Sequence, residues 1–212
     1  MEKNAYEGYV EERLRGNFGE MGSWPLVSKY LEGKKTLDIG CSDGLYLRHM
    51  GEGSLGIEQI PALVEASRKR GLNVMQDDVM GGLKSVDTGS FQAVFFSHVM
   101  EHLDCPINSL KEINRVLESN GTLVLGLPIE KSFLRQVLGH DYFDGTHLYS
   151  FSIRNATKLL ELTGFEVVAT YYHLPKCRSK LGGYIQKSWS NLPIPWREYF
   201  SMAYWLVAKK QN

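Results

Sequence analysis

The run Asp38-Ile39-Gly40-Cys41-Ser42-Asp43-Gly44 joins a carboxylate to two glycines with three residues between them. Glycine adopts backbone angles closed to other residues, so such a run lets main-chain groups approach a ligand closely. A dinucleotide fingerprint needs glycine at position 42, the third position of GxGxxG, and the residue is serine, so pyrophosphate binding is disfavoured. Glu58 follows Gly40 at about the 20-residue interval at which an acid reaches a ribose in nucleotide-binding folds. Its carboxylate can accept hydrogen bonds from both ribose hydroxyls. Asp77-Asp78-Val79 adds an acid able to accept from an adenine amino group, followed by a backbone N–H able to donate to a ring nitrogen.

A second group of reactive side chains is built on histidine, which titrates near neutrality. His98, His102 and His147 are candidate bases. His147 closes the aromatic and polar run Asp141-Tyr142-Phe143-Asp144-Gly145-Thr146-His147, which suits the wall of an active site. His98-Val99-Met100-Glu101-His102 also has the HxxEH spacing of a zinc-binding helix. The segment follows an apolar strand, however, and Asp104-Cys105-Pro106 interrupts it at once, so no metal is expected there. Cys41, Cys105 and Cys177 lie far apart and form no motif. They are expected to be buried thiols in a reducing compartment.

The elements that must position these residues alternate. Strands are expected at Thr36–Ile39, Leu55–Glu58, Asn73–Gln76, Ala93–Phe96, Thr122–Leu127, Phe165–Tyr171 and Tyr204–Ala208. Helices are expected at Glu7–Arg15, Trp24–Leu31, Pro61–Arg70, Pro106–Glu118 and Ser152–Leu162, with another starting at Leu45–Met50. Ile107, Leu110, Ile113 and Leu117 show the helical period. This alternation predicts an α/β fold, a doubly wound and mainly parallel seven-stranded sheet with helices on both faces and the last strand antiparallel. One domain over 1–212 is expected, with a helical cap over about 1–33. Two excursions, about 130–149 and 175–199, break the alternation and are assigned to substrate recognition.

Lysine plus arginine and aspartate plus glutamate both number 24, so nothing global draws the chain to nucleic acid or to a membrane. The polar N-terminus is not a secretory signal and no apolar run is long enough to span a bilayer, so a cytoplasmic protein is expected. Oligomeric state is not legible.

Taken together, Leu37 to Gly44, Gly56-Ile57-Glu58 and Asp77-Asp78-Val79 resemble the class I S-adenosylmethionine-dependent methyltransferases, in their small-molecule branch. Gly89 to Leu103 resembles the family's fourth-strand signature, with Gln92 where the family usually has aspartate. Leu117–Leu127 and His147–Val167 resemble later family segments, so the likeness runs from Thr36 to about Val168. It implies that Asp38 holds the methionine part of S-adenosylmethionine and that Gly40, Cys41, Ser42 and Gly44 border it. Glu58 with Gln59 would meet the ribose, and Asp77 or Asp78 with Val79 the adenine. Ser97 and His98 would lie beside the sulfonium, which Tyr6 or Tyr9 can also face. The implied activity is methyl transfer to a small-molecule acceptor, with His98 and His147 as catalytic candidates. Two alternatives stand beside it, an NAD-type oxidoreductase and a non-catalytic S-adenosylmethionine-binding module.

Overall fold

The computed structural model describes residues 2–16, 23–130, 132–133, 137, 146–174, 184–185, 187–189 and 197–211. Strands β1 (Thr36–Ile39), β2 (Leu55–Glu58), β3 (Val74–Gln76), β4 (Phe91–Ser97), β5 (Leu117–Pro128), β6 (Phe165–His173) and β7 (Ala203–Lys210) form one sheet in the order β3-β2-β1-β4-β5-β7-β6. Strands β1 to β5 are mutually parallel. Strand β7 runs antiparallel to both of its neighbours, β5 and β6. The unbroken apolar runs of β4 and β5 have no side to show to water, and these strands are the covered centre of the sheet. The sheet therefore has the predicted class and strand number.

The described helices are α1 (Glu2–Leu14), α2 (Trp24–Val27), α3 (Pro61–Lys69), α4 (Val79–Lys84), α5 (Pro106–Val116) and α6 (Ile153–Leu162). Proline opens α3 and α5, where its missing N–H is not needed. Ser152 caps α6 by accepting from the Asn155 N–H. Leu83 of α4, Leu110 and Ile113 of α5 and Leu160 of α6 pack on one face of the sheet against Ile39, Phe96 and Leu125. Trp24 and Val27 of α2 cover the other face over Phe95, Val124 and Trp205. Among the described residues no helix is long and apolar enough to cross a membrane.

Three local expectations are corrected. Leu45–Met50 forms only a short 3-10 turn at Leu47–His49, because Tyr46 is drawn into the core against Trp24 and Phe95, at 4.7 and 5.4 Å between ring centres. Helix α5 stops at Val116 rather than Glu118, because Leu117 turns extended and pairs with Phe91 of β4. Helix α4 was not expected, since its VMGGLK sequence carries two adjacent glycines. It forms because Asp78 caps it and because Gly82 lets it lie on Ile57 of β2, where a Cβ would stand 2.8 Å from that side chain.

The joint between sheet and site is at β5 and β7. Gly126 pairs with Trp205, and the indole ring lies so close over Gly126 that a Cβ there would stand 2.5 Å from it. The ring thereby reaches Phe95, on which it stacks at 5.5 Å, and its N–H donates to Ser23 Oγ at 3.0 Å. Gly126→Val is expected to destabilise the fold by about 1–3 kcal/mol through overpacking. Gly8→Ala, in open space on α1, is expected to be neutral or to stabilise by about 0.5–1 kcal/mol. Urea denaturation of the two variants checks the contrast.

Candidate active site

At the end of β1 the chain turns through three residues with positive φ, Gly40 (70°), Ser42 (54°) and Gly44 (75°). Position 40 also has no room for a side chain, since a Cβ would stand 2.5 Å from Val99 Cγ2. The Gly40 and Cys41 N–H groups donate to the Ile57 carbonyl at 2.8 and 3.1 Å, which ties the turn to β2. Glu58, at the end of β2 and buried, accepts from the Ser42 N–H and the Ile60 N–H, both at 2.9 Å. The acid of the second strand thus holds the turn of the first. Helix α1 closes over the same turn. Tyr9 donates from its hydroxyl to Ser42 Oγ at 3.1 Å, and Arg13 pairs with Asp43 at 3.4 Å. Arg70 pairs with the other Asp43 oxygen at 2.7 Å. Sequence reasoning missed Arg13, Asp43 and Arg70, because nothing in their spacing shows that they meet. The side chain of Tyr6 lies outside the described residues.

Asp38 is 2% exposed, and its Oδ2 has no hydrogen-bond partner among the described residues. Burial, reinforced by Glu58 and opposed by Arg13, pushes its carboxyl up to about 8. Burial, with Asp38 and Glu58 nearby, also drives the Cys41 thiol upward, so it is a packed thiol and not a nucleophile. Cys105 is exposed, against the expectation of burial, and Cys177 lies outside the described residues. Gln59 is exposed beside Glu58. Asp78 spends its carboxylate on the cap of α4, accepting from the Gly81 N–H at 2.8 Å. That leaves Asp77 as the acid at the end of β3, where its own N–H donates to the Glu58 carbonyl and its Oδ1 accepts from the Asp78 N–H. Val79 opens α4 directly behind them.

On the other side of β1, β4 ends at Ser97 and His98 takes a left-handed conformation (φ 53°) that a non-glycine residue seldom adopts. Its N–H donates to the Gly126 carbonyl at 3.0 Å, and its ring meets Trp205 edge-on at 6.1 Å. The HxxEH run forms no α-helix, as the interruption at Asp104-Cys105-Pro106 suggests, and Met100–His102 is a single 3-10 turn. His102 turns instead toward His147, with ring centres 4.6 Å apart. His102 Nδ1 lies 3.0 Å from the Thr146 carbonyl, and His147 Nδ1 lies 2.7 Å from Glu130 Oε1. The Leu148 and Tyr149 N–H groups donate to the Glu101 carbonyl and bring this segment to the exit of β4. Glu101 itself is 1% exposed. Burial works against its charge, but His98, with Nδ1 3.5 Å away, outweighs that and holds its carboxyl below the ordinary value. His173, at the end of β6, is held down to about 4 by burial and by His98, so it is neutral near pH 7. Glu130 and His173 were not singled out from the sequence. The rest of the two excursions, including most of 175–199, lies outside the described residues.

Buried acids at the carboxyl ends of β1 and β2, with a glycine turn between them, are chemically able to accept from cationic and hydroxyl groups of a ligand. Residues 6–170 match the sequence model of the family described as methyltransferase domain. The chain belongs to this family. Among curated relatives, the ubiquinone biosynthesis O-methyltransferase of Xanthomonas oryzae pv. oryzae (strain PXO99A) is 30% identical over 141 aligned positions, covering 59% of each chain. The tRNA U34 carboxymethyltransferase of Desulfotalea psychrophila is 32% identical over 128 positions, covering 52% of this chain and 39% of that protein. The chain thus spans less than two thirds of either relative. Among solved structures, a SAM-dependent methyltransferase from Archaeoglobus fulgidus shares the fold, with a TM-score of 0.69 at 23% identity over 97% of this chain and all of that one.

The raised Asp38 carboxyl gives this methyltransferase domain a pH signature. Unfolded, the group titrates near 3.8, and folded near 8, so between these values the native state holds a proton that the unfolded state has released. Native stability therefore falls as pH rises across that window and levels off above it. Asp38→Asn is expected to remove this fall, so the variant gains on the parent chain from about pH 4 to about pH 8. Denaturation series at several pH values read the difference, and parallel curves would contradict the assignment.

Proposed function

We propose that this chain is an enzyme that transfers the methyl group of S-adenosylmethionine to a hydroxyl of a small organic acceptor. The observation that carries the proposal is Asp38, a buried carboxyl whose Oδ2 has no hydrogen-bond partner among the described residues, beside a turn with no room for a side chain at Gly40. A buried carboxyl without a partner resists ionisation and holds its proton, and a ligand ammonium beside it favours the charged form. S-adenosylmethionine supplies that ammonium, together with a methyl carbon bonded to a good leaving group. The acceptor oxygen forms the new bond to carbon, and the electron pair of the broken C–S bond stays on sulfur.

Asp38 accepts from the ammonium, while Gly40, Cys41, Ser42 and Gly44 border the amino-acid part through their backbone. Each oxygen of Glu58 already accepts one N–H and retains a lone pair for a ribose hydroxyl. Gln59 flanks it. Asp77 is the acid for the adenine amino group, with the first-turn N–H groups of α4, beginning at Val79, close behind. Ser97 and His98 line the sulfonium. His98 and His147 are the candidate bases for the acceptor proton, and His98 sits nearest the end of β4. Holding acceptor, carbon and sulfur in line can supply several kcal/mol, up to about 7–11 at best.

A hydroxyl acceptor is supported by the name of the ubiquinone relative. A small molecule rather than a nucleic acid is supported by the balanced charge of the chain. Membership of the methyltransferase-domain family leaves the NAD alternative without support. Turnover separates an enzyme from a silent binding module.

S-adenosylhomocysteine and S-adenosylmethionine are expected to raise the melting temperature, by the equivalent of about 2.7 kcal/mol at a hundredfold excess over Kd, and NAD to leave it unchanged. No shift with either sulfur nucleotide would overturn the proposal. With a hydroxylated acceptor in hand, His147→Ala is expected to lower turnover by more than it weakens S-adenosylmethionine binding. An unchanged rate would remove His147 from the mechanism.

A further inference from the structure

We infer that Glu101, His102 and His147 form a binding site for one divalent transition-metal ion on the acceptor side of the crevice. The donor atoms, one carboxylate oxygen and one nitrogen from each ring, all lie within 4.8 Å of one another. An ion bound at about 2.0–2.2 Å by nitrogen and oxygen holds its donors roughly 3–3.5 Å apart. Modest side-chain rotation closes that difference.

Two independent observations point to a cation. Glu101 is 1% exposed, and neither carboxylate oxygen has a hydrogen-bond partner among the described residues. His98 Nδ1 lies 3.5 Å from Glu101 Oε1, too far for a good hydrogen bond. In both histidines one ring nitrogen also has an oxygen partner, as metal ligands do. In metal sites the ring nitrogen away from the ion is held by a carboxylate or a backbone carbonyl, which fixes the tautomer and raises the basicity of the other. Here Glu130 holds His147 Nδ1 and the Thr146 carbonyl holds His102 Nδ1. The three donors come from two segments more than forty residues apart, and the Leu148 and Tyr149 N–H bonds to the Glu101 carbonyl bring those segments together.

Two imidazoles and one carboxylate suit zinc, manganese, iron or cobalt, whereas magnesium favours oxygen donors and retained water. Three protein ligands leave coordination positions open. In those positions an ion polarises a hydroxyl and eases loss of its proton. His98, which is not one of the three donors, is then the base that takes it. The role in the reaction rests on the methyl-transfer proposal, whereas the ion's binding does not.

The test uses the full chain, stripped with a chelator and titrated with Co2+, whose visible absorption reports coordination, and then with Zn2+ in competition. One equivalent is expected to bind. Glu101→Gln and His147→Ala are each expected to weaken binding at least tenfold, and Glu130→Gln by about 10–100-fold through His147. Stabilisation by S-adenosylhomocysteine, retained in His147→Ala and Glu130→Gln, shows that those variants are folded. Substoichiometric Co2+ on the parent chain, or folded variants that bind it as tightly as the parent, would overturn the site. Metal binding without stabilisation by the sulfur nucleotides would overturn the methyl-transfer proposal alone, and the converse would overturn the metal site alone.

Discussion

Asp38, Asp43, Glu58 and Glu101 are buried at or beyond the carboxyl ends of β1, β2 and β4, and each must be accommodated without water, Asp43 by pairing with Arg13 and Arg70. Charge in a low-dielectric interior is tolerated only when partnered, and otherwise the group takes up a proton. The molecule uses a different answer at each strand. Glu58 is satisfied by two backbone N–H groups, and that is what bends the turn after β1 into shape. Asp38 has one oxygen without a hydrogen-bond partner among the described residues and holds its proton to near pH 8. Glu101 keeps its charge beside His98. The left-handed backbone of Ser42 is held in the turn that Glu58 anchors, and that of His98 stands beside Glu101.

These answers divide the crevice into two chemically distinct halves. Toward β2 and β3 the side chains are acids and the supporting contacts are main-chain N–H groups. Beyond β4 imidazoles gather around two carboxylates, Glu101 and Glu130. What joins the halves is rigid and apolar, the stack of Phe95 on Trp205 with Gly126 beneath the indole. His98 sits at that joint, bonded through its N–H to the Gly126 carbonyl and packed edge-on against Trp205. Its position is set by the core of the sheet as much as by its neighbours in the site. Precise placement of this kind is easier on strands than on loops.

The first half was legible in the sequence because its logic is one-dimensional. A glycine turn at the end of one apolar run and acids at the ends of the next two runs fall where a parallel sheet collects them. The cap role of Asp78 is the exception, since α4 hides behind two glycines that signal a turn. The second half was legible only in part. The break of HxxEH at Asp104-Cys105-Pro106 could be read, and the chain makes one 3-10 turn before Pro106 starts α5, but nothing in the spacing shows where His102 then turns. Its partners, His147 and Glu130, arrive from beyond β5, and only the backbone bonds to the Glu101 carbonyl bring that segment in. The boundary at Leu117 was misplaced for a related reason. The residue keeps the helical apolar period, yet its burial is against Phe91 of the neighbouring strand.

The position of β7 carries a consequence for how the molecule assembles. It is the last of the seven strands in sequence, yet it lies between β5 and β6. Strand β6 therefore has no hydrogen-bonding edge to join until β7 is in place. Contacts this far apart along the chain form late, after the entropy of closing the loop has been met. The five parallel strands, which carry Asp38 and Glu58, can pair without either of the last two. Trp205 and the edge-on support of His98 arrive only with β7. Folding order thus separates the two halves in time as their chemistry does in space, and an intermediate lacking β7 would possess the cradle at β1 and β2 without the aromatic joint that fixes His98.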